Sequence, residues 1–102
     1  MGSDDVVLLT SASQDLDDGE AFYDGRQAGL GAYFLSCLLS DLESLKIYAG
    51  VHPTTKNQLH YMRAKRFPCM IYYRVISGVC YVVAILPTKR NPRWVKHSLS
   101  ER

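Results

Sequence analysis

The chain has 102 residues, which is enough for one hydrophobic core, and residues 1–102 are expected to form a single domain. Hydrophobic residues make up 47% of the sequence, which excludes disorder by composition. The longest apolar run, Val79 to Leu86, is far shorter than the roughly 20 residues that cross a bilayer, so no membrane partner is expected. The acidic start, with Asp4 and Asp5, lacks the basic and apolar regions of a secretory signal.

The net charge of +2 conceals a strong asymmetry between the two halves of the chain. Residues 1–50 carry nine acidic and two basic side chains, a net charge of −7, whereas residues 51–102 carry one acidic and ten basic side chains, a net charge of +9. This asymmetry indicates a polyanionic or acidic partner for the second half. The alternative is that the two halves pack together and neutralise each other.

Three cysteines, Cys37, Cys69 and Cys80, each lie inside an apolar run. Their odd number and the absence of a CxxC pair argue against a disulfide framework or a zinc site. They are expected to be reduced, buried side chains. A reducing cytoplasm is therefore the predicted location.

The first predicted elements are a strand and a helix. Val6 to Thr10 is a run of β-branched and leucine residues, which is typical of a strand buried on both faces. Ser11 or Ser13 is the expected N-cap of the helix. Three acidic residues near the helix start are favoured by the helix dipole and are expected to form a solvated face: Asp15, Asp17 and Asp18.

A second helix is predicted from about Ala28 to Tyr48, and Gly25 and Gly29 separate it from the first. Apolar residues recur along it at spacings of three and four, which indicates one buried face: Leu30, Phe34, Leu38, Leu42 and Leu45. The two helices are expected to form a hairpin that packs on a sheet. Ala49 to Asn57 is interpreted as a loop.

The second half predicts three strands. Gln58 to Lys65 alternates loosely and is followed by Phe67-Pro68. Cys69 to Ile76 and Val79 to Leu86 flank the two turn residues Ser77 and Gly78 and therefore predict a β-hairpin. Pro87 ends the last strand, and a short helix or tail is expected to begin at Pro92.

The two-residue turn fixes the expected register of the hairpin. The predicted pairs are Ile76–Val79, Arg74–Tyr81, Tyr72–Val83 and Met70–Ile85. The face that carries these pairs is expected to line an open groove. The other face is smoothly apolar and is expected to lie under the helices: Cys69, Ile71, Tyr73, Val75, Cys80, Val82, Ala84 and Leu86.

The sequence contains no recognisable catalytic, metal-binding or cofactor-binding motif. None of the histidines, His52, His60 and His97, lies in a nucleophile or metal motif. Neither a metal nor another cofactor is therefore predicted. What remains is a set of cations interleaved with tyrosines and Trp94. Such a set either holds phosphates and stacks bases or forms a solvated basic rim.

Three segments together resemble the ParE branch of the RelE/ParE toxin superfamily, over roughly Val6 to His97. The first is the acidic helix followed by Gly29-Leu-Gly31-Ala-Tyr33-Phe34. The second is Arg63-Ala-Lys-Arg66-Phe67-Pro68-Cys69-Met-Ile71-Tyr-Tyr73, which is similar to the pattern RxxxFPxxIxY. The third is Lys89-Arg90-Asn91-Pro92-Arg93-Trp94, which is similar to RRDPxxW.

The resemblance implies an α+β fold, in which a helix hairpin packs on a twisted, mainly antiparallel four-stranded sheet in the order β-α-α-β-β-β. It also implies a cognate antitoxin that wraps over the toxin. ParE-like members poison DNA gyrase, whereas RelE-like members cut mRNA on the ribosome. The third possibility is an inactive member that only binds its partner.

The resemblance also assigns expected roles to residues. In the ribonuclease branch, a basic residue on the third strand, another after the last strand and a terminal Tyr or His carry the chemistry. Here those positions correspond to Cys69, to Lys89 or Arg90, and to Trp94, so no catalytic set is complete. A non-enzymatic, ParE-like inhibitor is therefore preferred, with Arg90 and His97 as the catalytic pair of the ribonuclease alternative. The expected target contacts are Lys89, Arg90, Arg93 and Trp94, and the supporting basic surface is Arg63, Lys65, Arg66 and Arg74.

Overall fold

Four strands and four helices make up the computed structural model, which describes residues 2–102. In chain order they are β1 (Asp5–Leu8), α1 (Thr10–Arg26), α2 (Leu30–Glu43), α3 (Leu45–Tyr48), β2 (His60–Arg63), β3 (Cys69–Ile76), β4 (Val79–Pro87) and α4 (Pro92–Ser100). In the part of the chain that the structure describes, no helix is long and apolar enough to span a membrane.

The four strands form one mixed sheet in the order β1-β4-β3-β2. β1 runs parallel to β4, and the other two pairings are antiparallel. Helices α1 and α2 form a hairpin whose apolar face packs on the sheet. The main core contributions from the helices are Ala12, Leu16, Phe34, Leu38 and Leu42, and those from the sheet are Cys69, Ile71, Tyr73, Cys80, Val82 and Ile85. The predicted α+β architecture and element order are confirmed, with the one-turn helix α3 added.

The first strand and helix differ from the prediction in their ends and in their burial. β1 ends at Leu8 and is only partly buried, with Val7 39% exposed, so it is not a strand buried on both faces. Helix α1 already begins at Thr10 after Leu9, so neither Ser11 nor Ser13 is its N-cap. The expected solvated acidic face is only partly correct, because the Asp15 side chain is 12% exposed and pairs with Arg102.

Three further boundaries were wrong. Gly25 lies within α1, and only Gly29, with φ of 89°, separates the two helices. The second helix ends at Glu43, and α3 follows after Ser44. The second strand covers only His60–Arg63 of the predicted eight residues.

The β3–β4 hairpin turns at Ser77 and Gly78, whose φ angles of 50° and 80° are those of a turn that suits twisted strands. The predicted pairs Ile76–Val79 and Arg74–Tyr81 are confirmed. Beyond Tyr73 the register shifts by one residue, so Tyr72 faces Ala84 and Met70 faces Leu86. This β-bulge reverses the two faces of β4, and Ile85 joins the core under the helices in place of Ala84 and Leu86.

Because β1 is only four residues long, side chains complete the hydrogen bonding along the free edge of β4. The Ser11 hydroxyl donates to the Val83 carbonyl at 2.7 Å, and the Asp15 carboxylate accepts from the Ile85 amide at 2.9 Å. Arg102 donates to the same Val83 carbonyl at 3.3 Å and forms a bidentate ion pair with Asp15. Ser11, which was predicted to cap the helix, therefore donates its hydrogen bond to the sheet instead.

Candidate binding site

The site is built around the segment that follows β4. Helix α4 begins at Pro92, as predicted, and the Asn91 side chain caps it by accepting a hydrogen bond from the Arg93 amide at 2.7 Å. This cap fixes the first turn of α4. The Arg90 guanidinium lies 4.6 Å from the centre of the Trp94 ring, so the two side chains are held as one cationic and aromatic unit.

A cleft of about 930 Å³ separates this segment from helix α1. We call it the α1–α4 cleft. Its apolar lining comes from α1, α2, the start of β3, the end of β4 and α4: Phe22, Tyr23, Leu30, Phe34, Pro68, Cys69, Ile85, Leu86, Pro87 and Trp94. Its charged lining is Asp15, Asp18, Arg26, Lys89, Arg90 and Arg102. It is therefore an apolar trough with charges on both walls.

The two walls carry equivalent cation–aromatic pairs. On α1, the Arg26 guanidinium lies 4.8 Å from the centre of the Phe22 ring, opposite the Arg90–Trp94 pair. Phe22 is 53% exposed and Trp94 is 37% exposed. Each guanidinium is therefore oriented by a ring that itself remains available for contact.

Most cations of the second half are not neutralised by acids of the first. Among residues 2–102 there are three ion pairs, and only Arg102–Asp15 joins a base of the second half to an acid of the first. Lys89, Arg90 and Arg93 are therefore not neutralised by the acidic first half of the chain, contrary to the alternative considered above.

The structure separates the predicted target contacts from the predicted supporting surface. Lys89, Arg90 and Trp94 line the α1–α4 cleft, while Arg93 is exposed beside them on α4. Arg63, Lys65 and Arg66 lie exposed at and after the end of β2. Arg74 lies with Tyr81 in a separate cleft of about 320 Å³, on the sheet face that was predicted to be open.

The pair of the ribonuclease alternative is not assembled at the cleft. Arg90 lines it, whereas His97 does not; the His97 Nε2 atom lies 2.9 Å from a carboxylate oxygen of Glu101 and is largely exposed. Cys69 is buried, and this burial raises the pKa of its thiol to about 11. No group of three His, Cys, Asp or Glu side chains within residues 2–102 is arranged to hold a metal ion.

Sequence reasoning missed the α1 wall of the cleft. Asp15, Asp18, Phe22 and Arg26 follow one another at spacings of three and four, which places them on one face of α1. That spacing was available in the sequence. Arg102 could not have been found in this way, because it reaches Asp15 across 87 positions of the chain.

A second constellation involves two histidines around the fully buried Tyr73. The Tyr73 hydroxyl accepts from the Gly50 amide at 2.9 Å and lies 2.5 Å from His52 Nδ1. His60 stacks on the Tyr73 ring and donates from Nδ1 to the His52 carbonyl at 2.8 Å. Burial, and then the nearby His60, lower the pKa of His52. The cluster anchors the loop between α3 and β2 to the sheet.

The comparison with known proteins rests on structure. No family model matches the sequence, and no curated protein matches it. A chain from a solved structure of the chromosomal ParDE TA (toxin–antitoxin) system from P. aeruginosa is similar to this one, with a TM-score of 0.77 and 16% sequence identity. The match covers 87% of this chain and 98% of that chain. The protein therefore shares its fold with this chain of a ParDE toxin–antitoxin system.

Proposed function

We propose that the protein is the toxin of a type II toxin–antitoxin system, that it inhibits a bacterial target by binding, and that a cognate antitoxin silences it. The favoured target is DNA gyrase, in the cytoplasm. The observation that supports this proposal best is the segment from Lys89 to Trp94, which presents unpaired cations and an exposed indole beside an apolar cleft on a ParE-like fold.

Binding is favoured over catalysis because Cys69, Arg90 and Trp94 line the same cleft but do not supply the acid and the base that RNA cleavage needs. Attack by a 2′-hydroxyl needs a base, an acid and a cation on the phosphate. Arg90 supplies a cation, but Cys69 is buried and Trp94 cannot transfer a proton at neutral pH. One observation favours the alternative of a ribosome-dependent mRNA endonuclease: Glu101 orients the exposed imidazole of His97.

The test is controlled expression of this chain, with and without the product of the adjacent reading frame, followed by two assays on purified protein. We expect growth arrest that the neighbouring product relieves, gyrase-dependent DNA cleavage, and no ribosome-dependent mRNA cleavage. Arg90→Ala combined with Trp94→Ala should abolish the arrest, whereas Lys56→Ala, an exposed cation outside the cleft, should not.

Two results would contradict the proposal. Ribosome-dependent mRNA cleavage that is lost in His97→Ala would establish the endonuclease instead. Normal growth, without either activity, would indicate an inactive family member that only binds its partner.

A further inference from the structure

We propose that the open face of the sheet is a self-association surface, through which two copies of this chain stack their sheets face to face. This inference goes beyond the proposed function and does not depend on it, because it concerns contacts between identical chains alone. The surface consists of six side chains in two rows across β1, β4 and β3, which we call the open-face patch: Asp5, Val79 and Ile76 in one row, and Val7, Tyr81 and Arg74 in the other.

The register of the sheet brings these six side chains together on one surface. Each row follows the paired residues across the three strands, so its members point to the same face of the sheet. The residues that alternate with them pack in or against the core: Val6, Leu8, Val75, Cys80 and Val82. The open-face patch therefore lies on the side of the sheet that the helices do not cover.

The apolar members of the open-face patch are incompletely covered. Ile76 is 52% exposed and Val7 is 39% exposed, and Val79 and Tyr81 beside them are half-buried. Leu9, which is 38% exposed, extends this apolar surface, because it lines the cleft of about 320 Å³ together with Ile76 and Tyr81. A group of neighbouring exposed apolar side chains favours contact with another protein.

The two charges of the open-face patch lie at diagonally opposite corners. Asp5 and Arg74 are separated by two strands and two residues, which is about 12 Å between Cα atoms in a regular sheet. Both side chains are exposed, and neither takes part in an ion pair formed within residues 2–102. Asp4 adds a second exposed carboxylate next to Asp5, beside the turn at Gly78. The six side chains themselves carry no net charge.

This arrangement fits a second copy of the chain. A two-fold axis along the other diagonal, from Val7 to Ile76, places Asp5 of each copy opposite Arg74 of the other. Val7 and Ile76 then meet their own counterparts, so one operation covers the apolar centre and pairs both charges. The strands of the two sheets cross at nearly a right angle, which is one of the two usual ways in which sheets pack face to face.

Other classes of partner match the open-face patch less well. A nucleic acid would meet the carboxylates of Asp4 and Asp5 beside the single guanidinium of Arg74, and an acidic peptide would meet the same carboxylates. A partner that neutralises both corners needs one base and one acid on a diagonal. The patch itself has this arrangement, so a second copy is assigned to it.

The dimer is expected to be weak and to leave the α1–α4 cleft open. Six side chains from each copy are fewer than the roughly 20–30 residues that each partner contributes to a stable interface. We therefore expect a dissociation constant on the order of 10–100 µM. None of the six lines the α1–α4 cleft, so a dimer presents two such clefts.

The test is the mean mass of the purified full chain, measured by sedimentation equilibrium between roughly 1 µM and roughly 500 µM. We expect the mass to rise towards twice that of one chain. Arg74→Glu and Asp5→Arg should each raise the dissociation constant at least ~10-fold, because each change creates two contacts between like charges in the dimer. The matched controls Arg66→Glu and Asp17→Arg alter exposed charges outside the patch and should change it less than about threefold.

An equimolar mixture of the two patch variants gives a second readout, which a loss of folding cannot imitate. In a mixed pair, Asp5 of the Arg74→Glu chain meets Arg74 of the Asp5→Arg chain, and the two substituted side chains also have opposite charges. The mixture should therefore form dimers at a concentration at which each variant alone is monomeric. A wild-type monomer at every concentration, a dimer that neither variant weakens, or a mixture that stays monomeric would each overturn the inference.

Discussion

At the scale of single residues, the carboxylate of Asp15 accepts three hydrogen bonds, one from the Ile85 amide and two from the Arg102 guanidinium. Both side chains of the ion pair with Arg102 are less than a fifth exposed. Residues 11, 15, 83 and 102 are thereby joined in one network. The expectation of a freely solvated acidic face overlooked this role, because the partners of Asp15 lie 70 and 87 positions away in the sequence.

Replacing Asp15 should therefore destabilise the fold. Asp15→Ala leaves the Ile85 amide without an acceptor and removes the carboxylate that pairs with Arg102, which should lower the free energy of unfolding by about 1–3 kcal/mol. Asp17→Ala, on an exposed neighbour, should change it by less than about 0.5 kcal/mol. Urea denaturation of both variants measures the difference. Equal stability in the two variants would mean that the network contributes nothing.

The burial of His52 beside His60 makes stability depend on pH. Because burial lowers the pKa of His52 in the folded state, the unfolded chain binds its proton more readily. The stabilisation is fully present above the unfolded pKa of about 6.5 and is lost as the pH falls from there towards the lowered pKa. The physical causes are the burial of the imidazole and then the nearby His60, both of which disfavour the charged form of His52.

Thermal unfolding between roughly pH 7.5 and pH 5 tests this dependence. As the pH falls, the melting temperature should decline less in His52→Gln than in the wild type. His97→Gln should keep the full decline, because the His97 imidazole is largely exposed. Identical pH profiles for the two variants would contradict the assignment.

At the scale of elements, the helix hairpin depends on a close approach at Gly31. A Cβ atom there would lie 2.5 Å from the Glu20 carbonyl oxygen and 2.8 Å from the Asp24 Cβ atom. Asp24 also holds the start of α2 by accepting from the amides of Gly29 and Gly31. The hairpin is therefore fixed at its turn by backbone contacts that leave no space for a side chain.

Gly31→Ala should lower the free energy of unfolding by about 1–3 kcal/mol, because a helix backbone must shift to relieve the contact. Gly25→Ala is the matched control within α1. A Cβ atom at Gly25 meets nothing within 4 Å, so the change should raise the free energy of unfolding by about 0.5–1 kcal/mol. Chemical denaturation should give opposite signs for the two variants, and a common sign would refute the packing argument.

The elements also show what the sequence could and could not predict. The leucine spacing of α2 and the turn at Ser77-Gly78 are local signals, and the elements that they predict are confirmed. The bulge opposite Tyr72 and Tyr73 was missed, because β4 is apolar on both faces and one extra residue does not disturb its pattern. For the same reason, the alternation of side chains could not reveal that Ile85, rather than Leu86, faces the helices.

At the scale of the whole molecule, the charge asymmetry of the chain remains a property of its surface. The bases at 63, 65, 66, 89, 90 and 93 are all exposed, and none of them takes part in an ion pair formed within residues 2–102. Exposed unpaired cations attract an acidic partner over distances comparable with the Debye length. The electrostatic contribution should therefore be greatest in the rate at which the partner associates.

The association rate of the neighbouring product should accordingly fall at least ~10-fold between roughly 50 mM and roughly 500 mM salt. Stopped-flow measurements give this dependence directly. The double variant Lys89→Gln and Arg90→Gln should weaken the dependence of the association rate on salt. Lys56→Gln should weaken this dependence less. A rate independent of salt would mean that the basic surface does not steer the encounter.

The side chains that complete the edge of β4 have one more consequence, which concerns aggregation. The segment from Val79 to Leu86 is apolar, rich in β-branched residues and uncharged, which are the properties of segments that form cross-β fibrils. Beyond Leu8, the edge of this strand would be open to a second chain if Ser11, Asp15 and Arg102 did not occupy its hydrogen-bonding groups. The network that stabilises the fold thus also keeps the strand from acting as a template for self-assembly.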